Sequence, residues 1–411
     1  MARDIFYTAI DIGTSKICTI IARVGPEGDL KVVGTSVAPS QGVEKASIAT
    51  IAEAQEAIRA SLAEAERYLG RRVPEAYVSI SGREMTCLNT TGLIHTASRE
   101  EPVSRKDVLN LIESSYPKAD VEKEVVHVIP VNYWIDGYRS VRNPVGLHAD
   151  QIQVESHVVM GERNHVYGTI RAVENCGVLV RSLVLGALAS SEATLSEHEK
   201  EVGVLLVDIG DGSTDMAIFK HGELWYNSST PVGGKQFTRD LSVALGMPYY
   251  VAEELKEKWA HAMLTAEEAQ EEVALPSFQG RPSRLVRRGE LCKPLVDRLQ
   301  ETLGLIMVKA QQAGLSRFPA GGVVITGGTA EMPGLRQKAR EILGCPVRIA
   351  SPLEVQGLPP EQLKPSYSTV IGLLLWGIKH HGEKPLYRSG DRIPWDHKVL
   401  IQRVKELIEA K

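Results

Sequence analysis

Two glycine-rich turns, each preceded by an aspartate, are the part of the sequence best suited to chemistry. The first follows Asp11 and the second follows Asp208. Glycines and small hydroxyl residues directly after a strand let backbone N–H groups approach phosphate oxygens, because no Cβ stands in the way. The predicted phosphate-binding residues are Gly13, Thr14, Ser15, Lys16, Gly210, Asp211, Gly212, Ser213 and Thr214. Carboxylates at strand ends suit a hydrated Mg²⁺, so Asp11 and Asp208 are predicted to hold the metal ion through water.

A third glycine-rich turn, Gly327-Gly328-Thr329, follows the apolar segment 322–326. Its backbone can come close to a flat or sugar-like group, as nucleoside binding requires. Any one of the three turns alone is most often only a tight turn. Their combination and order favour a nucleotide site.

The elements that position these turns occur twice along the chain. Apolar or alternating strands are predicted at residues 6–10, 18–24 and 30–37, followed by a helix at about 47–69. The same order recurs with strands at 202–207, 215–220 and 224–231 and a helix at 237–245, which the Gly233-Gly234 pair precedes. The duplication predicts two similar α/β lobes that face each other across a cleft.

Composition limits the class of protein. At 411 residues the chain exceeds the size at which one core keeps growing, so more than one lobe is expected. A net charge of -4 argues against nucleic acid as a partner. The five cysteines lack metal or disulfide spacing, which fits a reducing cytosol. The longest apolar run, 370–378, is shorter than the roughly 20 residues of a spanning helix, so any membrane contact is expected to be peripheral.

The three turns resemble the two phosphate motifs and the adenosine motif of the actin, sugar-kinase and heat-shock ATPase superfamily. Within it, the chain is similar to the FtsA family over nearly its whole length. The segments that carry the resemblance are Ser81-Gly-Arg, His127-Val-Ile-Pro, Asn143-Pro-Val-Gly, Pro231-Val-Gly-Gly, Ala252-Glu-Glu-Leu-Lys and Pro365-Ser-Tyr-Ser-Thr-Val-Ile-Gly-Leu-Leu.

The resemblance implies an α/β, actin-like two-lobed fold built from duplicated ribonuclease-H-like domains. An FtsA-type subdomain is inserted in lobe one and a helical subdomain in lobe two. The expected limits are 1–82 and 165–200 for lobe one, 83–164 for its insertion, 201–247 and 322–382 for lobe two, 248–321 for the second insertion, 383–394 for a linker and 395–411 for an amphipathic helix.

The resemblance also implies ATP and Mg²⁺ as cofactors. The residues assigned to the nucleoside are Gly233, Gly234, Glu253, Lys256, Gly327, Gly328 and Thr329. The expected partners are the C-terminal tail of the tubulin-like ring protein FtsZ, further copies of the chain in a filament, anionic inner-membrane lipid and other division proteins. The expected location is the cytoplasmic face of the membrane at the division site.

Two positions bear on ATP hydrolysis. Asp211 stands where most FtsA-like sequences have glycine, and its carboxylate would repel phosphate, although the second motif of actin has a similar Gly-Asp-Gly form. Gly186 stands where the chaperone and filament ATPases place the glutamate that positions water. ATP binding with weak or no hydrolysis is therefore expected.

The C-terminal segment predicts an amphipathic helix. One face carries Leu400, Ile401, Val404, Leu407 and Ile408, with Trp395 near the start at headgroup depth. In the FtsA family the corresponding helix is the membrane anchor. A helix docked on the protein itself and a short coiled coil remain alternatives, as do a soluble actin-fold kinase and a pilus-assembly adaptor for the whole chain.

Overall fold

The computed structural model describes residues 4–117, 120–278 and 282–380, with strands and helices in α/β order. The strands are β1 (Ile5–Ile12), β2 (Lys16–Val24), β3 (Leu30–Pro39), β4 (Val43–Glu44), β5 (Ser47–Ile48), β6 (Glu75–Ile80), β7 (Met85–His95), β8 (Lys123–Ile135), β9 (Arg139–Val141), β10 (Gln151–Glu162), β11 (Leu179–Leu185), β12 (Val204–Ile209), β13 (Thr214–Lys220), β14 (Glu223–Thr230), β15 (Glu272–Leu275), β16 (Arg284–Arg287), β17 (Val323–Thr326) and β18 (Val347–Ile349). The α-helices are α1 (Ile51–Leu69), α2 (Arg105–Ser114), α3 (Arg163–Glu174), α4 (Gly186–Thr194), α5 (Glu197–Val202), α6 (Gly234–Leu245), α7 (Tyr249–Trp259), α8 (Arg288–Gln312), α9 (Leu335–Leu343) and α10 (Ser368–Lys379).

Two five-stranded sheets have the same topology. The first runs β3-β2-β1-β6-β11 and the second runs β14-β13-β12-β17-β18. In each sheet the first three strands are antiparallel and the last three are parallel. The two Asp-Gly turns are the hairpin ends of β1–β2 and β12–β13, so the predicted duplication is confirmed.

Two predicted boundaries were wrong for local reasons. The first helix begins at Ile51 instead of residue 47, because Ser47–Ile48 pair with Val43–Glu44 in a short hairpin. The strand predicted from residue 202 begins at Val204, because the preceding residues form α5. Ser196 and Glu199 cap α5 reciprocally, and Gly203 ends it at a φ of 96°.

The first insertion is a four-stranded sheet in the order β7-β10-β8-β9, with α2 packed against it. A capping box begins α2, since Ser104 and Asp107 bond each other's backbone N–H groups. Leu111, Ile152 and Val154 belong to a buried apolar cluster in this unit. The insertion therefore has a core of its own.

The inserted sheet also contacts the second lobe. The ring of His157 on β10 lies between the amide groups of Asn89 and Asn227, at 2.7 and 2.8 Å. Cys87 Sγ donates to the carbonyl oxygen of Asn227 at 3.1 Å. Asn227 belongs to β14, the edge strand of the second sheet. The insertion in the first lobe therefore contacts the second lobe directly.

The second insertion is mainly helical, as expected, and also contains a short hairpin that the sequence did not predict. It contains α7, α8 and the antiparallel hairpin β15–β16. Side chains on one face of this hairpin, those of Val273, Leu275 and Val286, are buried in the core of the second lobe. Nearby, Arg284 donates to the carbonyl oxygen of Leu245 at 2.7 Å and Arg288 pairs with Glu271 at 2.8 Å.

Helices α4 and α10 cross between the two lobes. Gly372 on α10 faces Ala189 on α4, where a Cβ on the glycine would collide with the carbonyl oxygen of Ala189. Helix α4 connects β11 of the first sheet to the second lobe, and α10 returns from the second lobe to pack on β1, β2 and β6. None of the helices in the described ranges is long and apolar enough to cross a membrane.

Candidate functional site

A cavity of about 550 Å³ lies between the lobes, and all three glycine-rich turns contribute to its wall. The predicted residues that line it are Asp11, Gly13, Thr14, Ser15, Lys16, Asp208, Gly210, Asp211, Gly212, Ser213, Gly234, Glu253, Lys256, Gly327, Gly328 and Thr329. Segments more than 300 positions apart in the sequence thus meet around one space, as a ligand enclosed by two lobes requires.

The first turn is a tight hairpin end whose side chains point into the cavity. The N–H of Gly13 donates to the carbonyl oxygen of Lys16 at 3.1 Å. Thr14 Oγ1 accepts from the N–H of Ala46 at 2.9 Å. Lys16 Nζ lies 3.3 Å from the centre of the Tyr367 ring, and burial lowers the pKa of this lysine. Lys16 therefore lies inside the site and can neutralise phosphate charge there.

The second turn closes against the first. The N–H of Gly210 donates to Ser213 O at 2.9 Å, as in the equivalent position of the first turn. A Cβ on Gly212 would collide with Thr14 Oγ1 and would lie 2.9 Å from Lys45 Cα. Glycine at this position lets the two turns approach each other across the cleft.

Three buried carboxylates surround the base of the cavity. Asp11 Oδ1 accepts from Ser79 Oγ at 2.7 Å, and burial raises the pKa of Asp11. Burial raises the pKa of Asp208 to about 7, with repulsion from Asp215 and Asp11 in the same direction and a hydrogen bond from Ser190 against it. The pKa of Asp215 is raised by burial as well. This excess of buried negative charge fits a divalent cation.

The donor set also limits how such a cation is held. In the described part of the chain no three His, Cys, Asp or Glu side chains form a metal-binding group. Separate carboxylates facing a phosphate-sized space suit a hydrated Mg²⁺, whose other ligands would be waters and phosphate oxygens. Asp11 and Asp208 thus fit the role predicted for them.

The wall opposite the first turn carries an ion pair. Lys256 Nζ lies 2.8 Å from Glu253 Oε1 and donates to Thr238 Oγ1 at 2.7 Å. Lys256 therefore lies on the cavity wall, held by these contacts, and not on a solvated helix face. Gly328 leaves open space on the same wall, since the nearest atom to a Cβ there is Ser366 Cβ at 3.8 Å.

Two predicted contact residues lie behind the cavity wall. Thr214 is fully buried and its hydroxyl donates to Val232 O at 2.7 Å. Gly233 packs against the carbonyl oxygens of Gly210 and Asp211, each 2.6 Å from a Cβ placed on it. Both residues shape the second turn from behind the residues that line the cavity.

Other lining residues escaped the sequence reasoning. The clearest are Ser79, Ser81, Asp215, Phe237 and Thr369. Asp215 had a signal, because it is an acidic residue inside an apolar strand, where it pairs in register with Asp208. Ser79 and Thr369 had no such signal in the sequence, because they reach the site only through the packing of β6 and α10.

Gly186 is the first residue of α4, and no carboxylate is present at this position. A Cβ on Gly186 would collide with Ser81 Oγ, so a larger residue at this position requires Ser81 to change its rotamer. The predicted membrane-contacting residues Trp395, Leu400, Ile401, Val404, Leu407 and Ile408 lie outside the described residues.

Solved structures of the same fold place the molecule in a class. The structure of a PilM-PilN type IV pilus biogenesis complex aligns with a TM-score of 0.64 at 17% identity, covering 90% of this chain and 98% of that chain. MreB5 of Spiroplasma citri bound to ADP aligns with a TM-score of 0.53 at 12% identity, covering 91% and 96%. With its duplicated sheets and interlobe cavity, the chain is an actin-like two-lobed protein.

Sequence comparison gives the family. The model for cell division protein FtsA matches residues 205–372, and the model for the SHS2 domain inserted in FtsA matches residues 82–160. The cell division protein FtsA of Pseudomonas aeruginosa is 34% identical over 375 residues, covering 91% of this chain and 89% of the relative. That of Borreliella burgdorferi is 33% identical over 388 residues, covering 93% of each. The chain belongs to the FtsA family of cell division proteins.

Proposed function

We propose that this chain binds Mg-ATP between its lobes and acts in cell division as a polymerising adaptor that anchors the FtsZ ring to the cytoplasmic membrane. The observation that carries the nucleotide part is the convergence of all three turns on one cavity. In this proposal the first two turns hold phosphates, the third turn with Glu253 and Lys256 holds the nucleoside, and Asp11 and Asp208 hold hydrated Mg²⁺.

The proposal includes weak or absent hydrolysis. Rapid hydrolysis needs an oriented water as well as a metal clamp, and Gly186 offers no base. The two alternative functions have less support. The pilus protein shares only the fold with this chain, at 17% sequence identity. The FtsA relative of Pseudomonas aeruginosa has twice that sequence identity, 34%. We propose the same limits for the lobes, insertions, linker and C-terminal helix as those predicted from the sequence.

Gly328→Leu tests the nucleotide part. The leucine side chain would extend into the open space of the cavity without backbone strain, so we expect ATP affinity to fall by at least about tenfold while the nucleotide-free protein keeps its thermal midpoint. Isothermal titration calorimetry with Mg-ATP measures the affinity. Gly168→Leu is the control for the same substitution away from the cavity, because a Cβ there meets nothing within 4 Å. Equal affinity in Gly328→Leu and wild type would contradict the proposed site.

The membrane part is tested by co-sedimentation with anionic liposomes. The full chain is expected to pellet, and more so with Mg-ATP if polymerisation adds multivalency. Ile401→Glu on the predicted apolar face should abolish pelleting, whereas Gln402→Glu, with the same change of charge on the polar face, should not. If neither the full chain nor its variants pellet while ATP still binds, the C-terminal segment is not a membrane anchor.

A further inference from the structure

The carboxylate of Asp208 is held by hydroxyl groups from two different helices. Its Oδ2 accepts from Ser190 Oγ at 2.5 Å and from Thr369 Oγ1 at 3.2 Å. The two hydroxyl oxygens are themselves 3.0 Å apart. Ser190 is fully buried, and Thr369 lies on the cavity wall. The three groups form a closed triangle at the end of β12.

The two helices are the ones that cross between the lobes. Ser190 belongs to α4 and Thr369 belongs to α10. Three residues beyond Thr369, Gly372 brings the backbones of these helices into direct contact at Ala189. A change in the crossing angle of α4 and α10 would therefore alter at least one hydroxyl bond to Asp208.

The bond from Ser190 is not the ordinary behaviour of a helical hydroxyl. The neighbouring buried hydroxyls of α4 bond back to their own helix, Ser191 to Leu188 O at 2.7 Å and Thr194 to Ser190 O at 2.6 Å. Ser190 instead reaches across to a side chain of the second lobe. The same helix thus supplies a matched control residue.

We propose that Ser190 and Thr369 are positioning residues that orient the Asp208 carboxylate toward the hydrated metal ion and couple Mg²⁺-nucleotide binding to the packing of α4 against α10. This inference rests on the proposed function, in which Asp208 faces that ion. The two hydroxyls both bond Oδ2 of a carboxylate that lines the cavity, so they restrain its rotation there. Such outer partners commonly set how strongly a ligand holds its metal ion.

The test is the gain in ATP affinity that Mg²⁺ provides, taken as the ratio of the dissociation constants in EDTA and in excess Mg²⁺. Ser190→Ala and Thr369→Val are each expected to reduce this ratio by about tenfold, with little change in EDTA. Ser191→Ala should leave the ratio unchanged, and Thr369→Ser, which keeps the hydroxyl, should restore it. Calorimetry on the full-length protein gives all these values.

Hydrogen exchange supplies a second readout. Mg-ATP is expected to protect the amides of α4 and α10 in the wild type and to protect them less in Thr369→Val. If Ser190→Ala fails to fold, the Thr369→Val and Thr369→Ser pair carries the test, because Thr369 is only half-buried. An unchanged Mg²⁺ ratio in both loss variants, or an equal loss of affinity in EDTA, overturns the inference while the nucleotide proposal stands. Absence of ATP binding in the wild type overturns both.

Discussion

His157 is a hydrogen-bonding group at the contact between the inserted sheet and the second lobe, and it is completely buried. Burial lowers its pKa to about 4, against which the hydrogen bond with Asn227 acts only weakly. The folded protein thus keeps the ring neutral at pH values where an unfolded histidine, with a pKa of about 6.5, takes up a proton. The free energy of unfolding must fall as the pH decreases from about 6.5 towards 4.

This residue predicts a specific acid sensitivity. Because His157 stays neutral in the folded protein, we expect the free energy of unfolding of the wild type to fall by about 2 kcal/mol between pH 7 and pH 5. The His157→Gln variant should not show this loss. Urea unfolding at a series of pH values measures the difference between the two profiles. His198→Gln, at an exposed site, should leave the wild-type profile in place. Parallel profiles for wild type and His157→Gln would show that the buried ring does not titrate as described.

At the residue scale the sequence predicted the groups that lie in the turns themselves. Asp11 and Asp208 are the penultimate residues of β1 and β12, and Gly13 and Gly210 follow these strands directly, so their types and spacing were enough to bring them to attention. Ser79, Ser190 and Thr369 come to the same site from separate elements, and only tertiary packing brings them there. Spacing along the chain also does not say which side of a turn faces the cavity, so it could not separate Thr214 and Gly233 from the residues that line it.

The short hairpin β4–β5 contains a strained turn. Its two central residues, Lys45 and Ala46, have φ values of 50° and 63°, a conformation that suits glycine or asparagine. Each such residue costs about 1 kcal/mol. The turn lies against the phosphate motifs, since Ala46 bonds Thr14 and Lys45 lies beside Gly212. The strain is therefore located at the candidate site.

Ala46→Gly should relieve part of that strain. After the added flexibility of glycine in the unfolded chain is subtracted, we expect a gain of up to about 0.5 kcal/mol, seen as a thermal midpoint about 1 °C higher. Ala49→Gly is the matched control, because residue 49 is outside the left-handed region and should lose stability. A lower midpoint for Ala46→Gly would mean that the alanine makes contacts worth more than the strain.

Element prediction succeeded where one period continued over a whole segment. Strands β1 to β3 and β12 to β14 and helix α6 fall within a few residues of their predicted positions, whereas β6, β11 and β18 were not predicted. The β4–β5 hairpin was absorbed into α1, because Ile48 and Ile51 also fit helical spacing. The β15–β16 hairpin was missed, because its four-residue strands are too short for alternation to stand out among charged residues.

The whole molecule depends on the close crossing of α4 and α10. Gly372→Ala puts a methyl group against the carbonyl oxygen of Ala189, so we expect a loss of about 2 kcal/mol or more. Gly304→Ala, in the interior of α8 where a Cβ meets nothing within 4 Å, should instead gain up to about 1 kcal/mol. Thermal unfolding of the two variants measures the contrast. Similar shifts in both would show that the crossing tolerates separation.

At this scale the duplicated motifs predicted two lobes and a cleft, and the resemblance predicted the inserted unit. The contact of that unit with β14 could not be read from the sequence. His157, Asn89 and Asn227 are polar residues in three separate strands, and no spacing rule relates them. Their meeting is a property of how the lobes are arranged.

The path of the chain through the first lobe also has a consequence for synthesis on the ribosome. The inserted sheet is continuous from Met85 to Glu162, so it can fold as soon as it emerges. The first sheet must wait for β11, and the face that carries Tyr7, Ala9 and Ile20 is covered only when α10 arrives. A nascent chain that already has its inserted domain therefore still presents a large apolar face, and α10, the last helix in the described part of the chain, is the one that shields the first strand from aggregation.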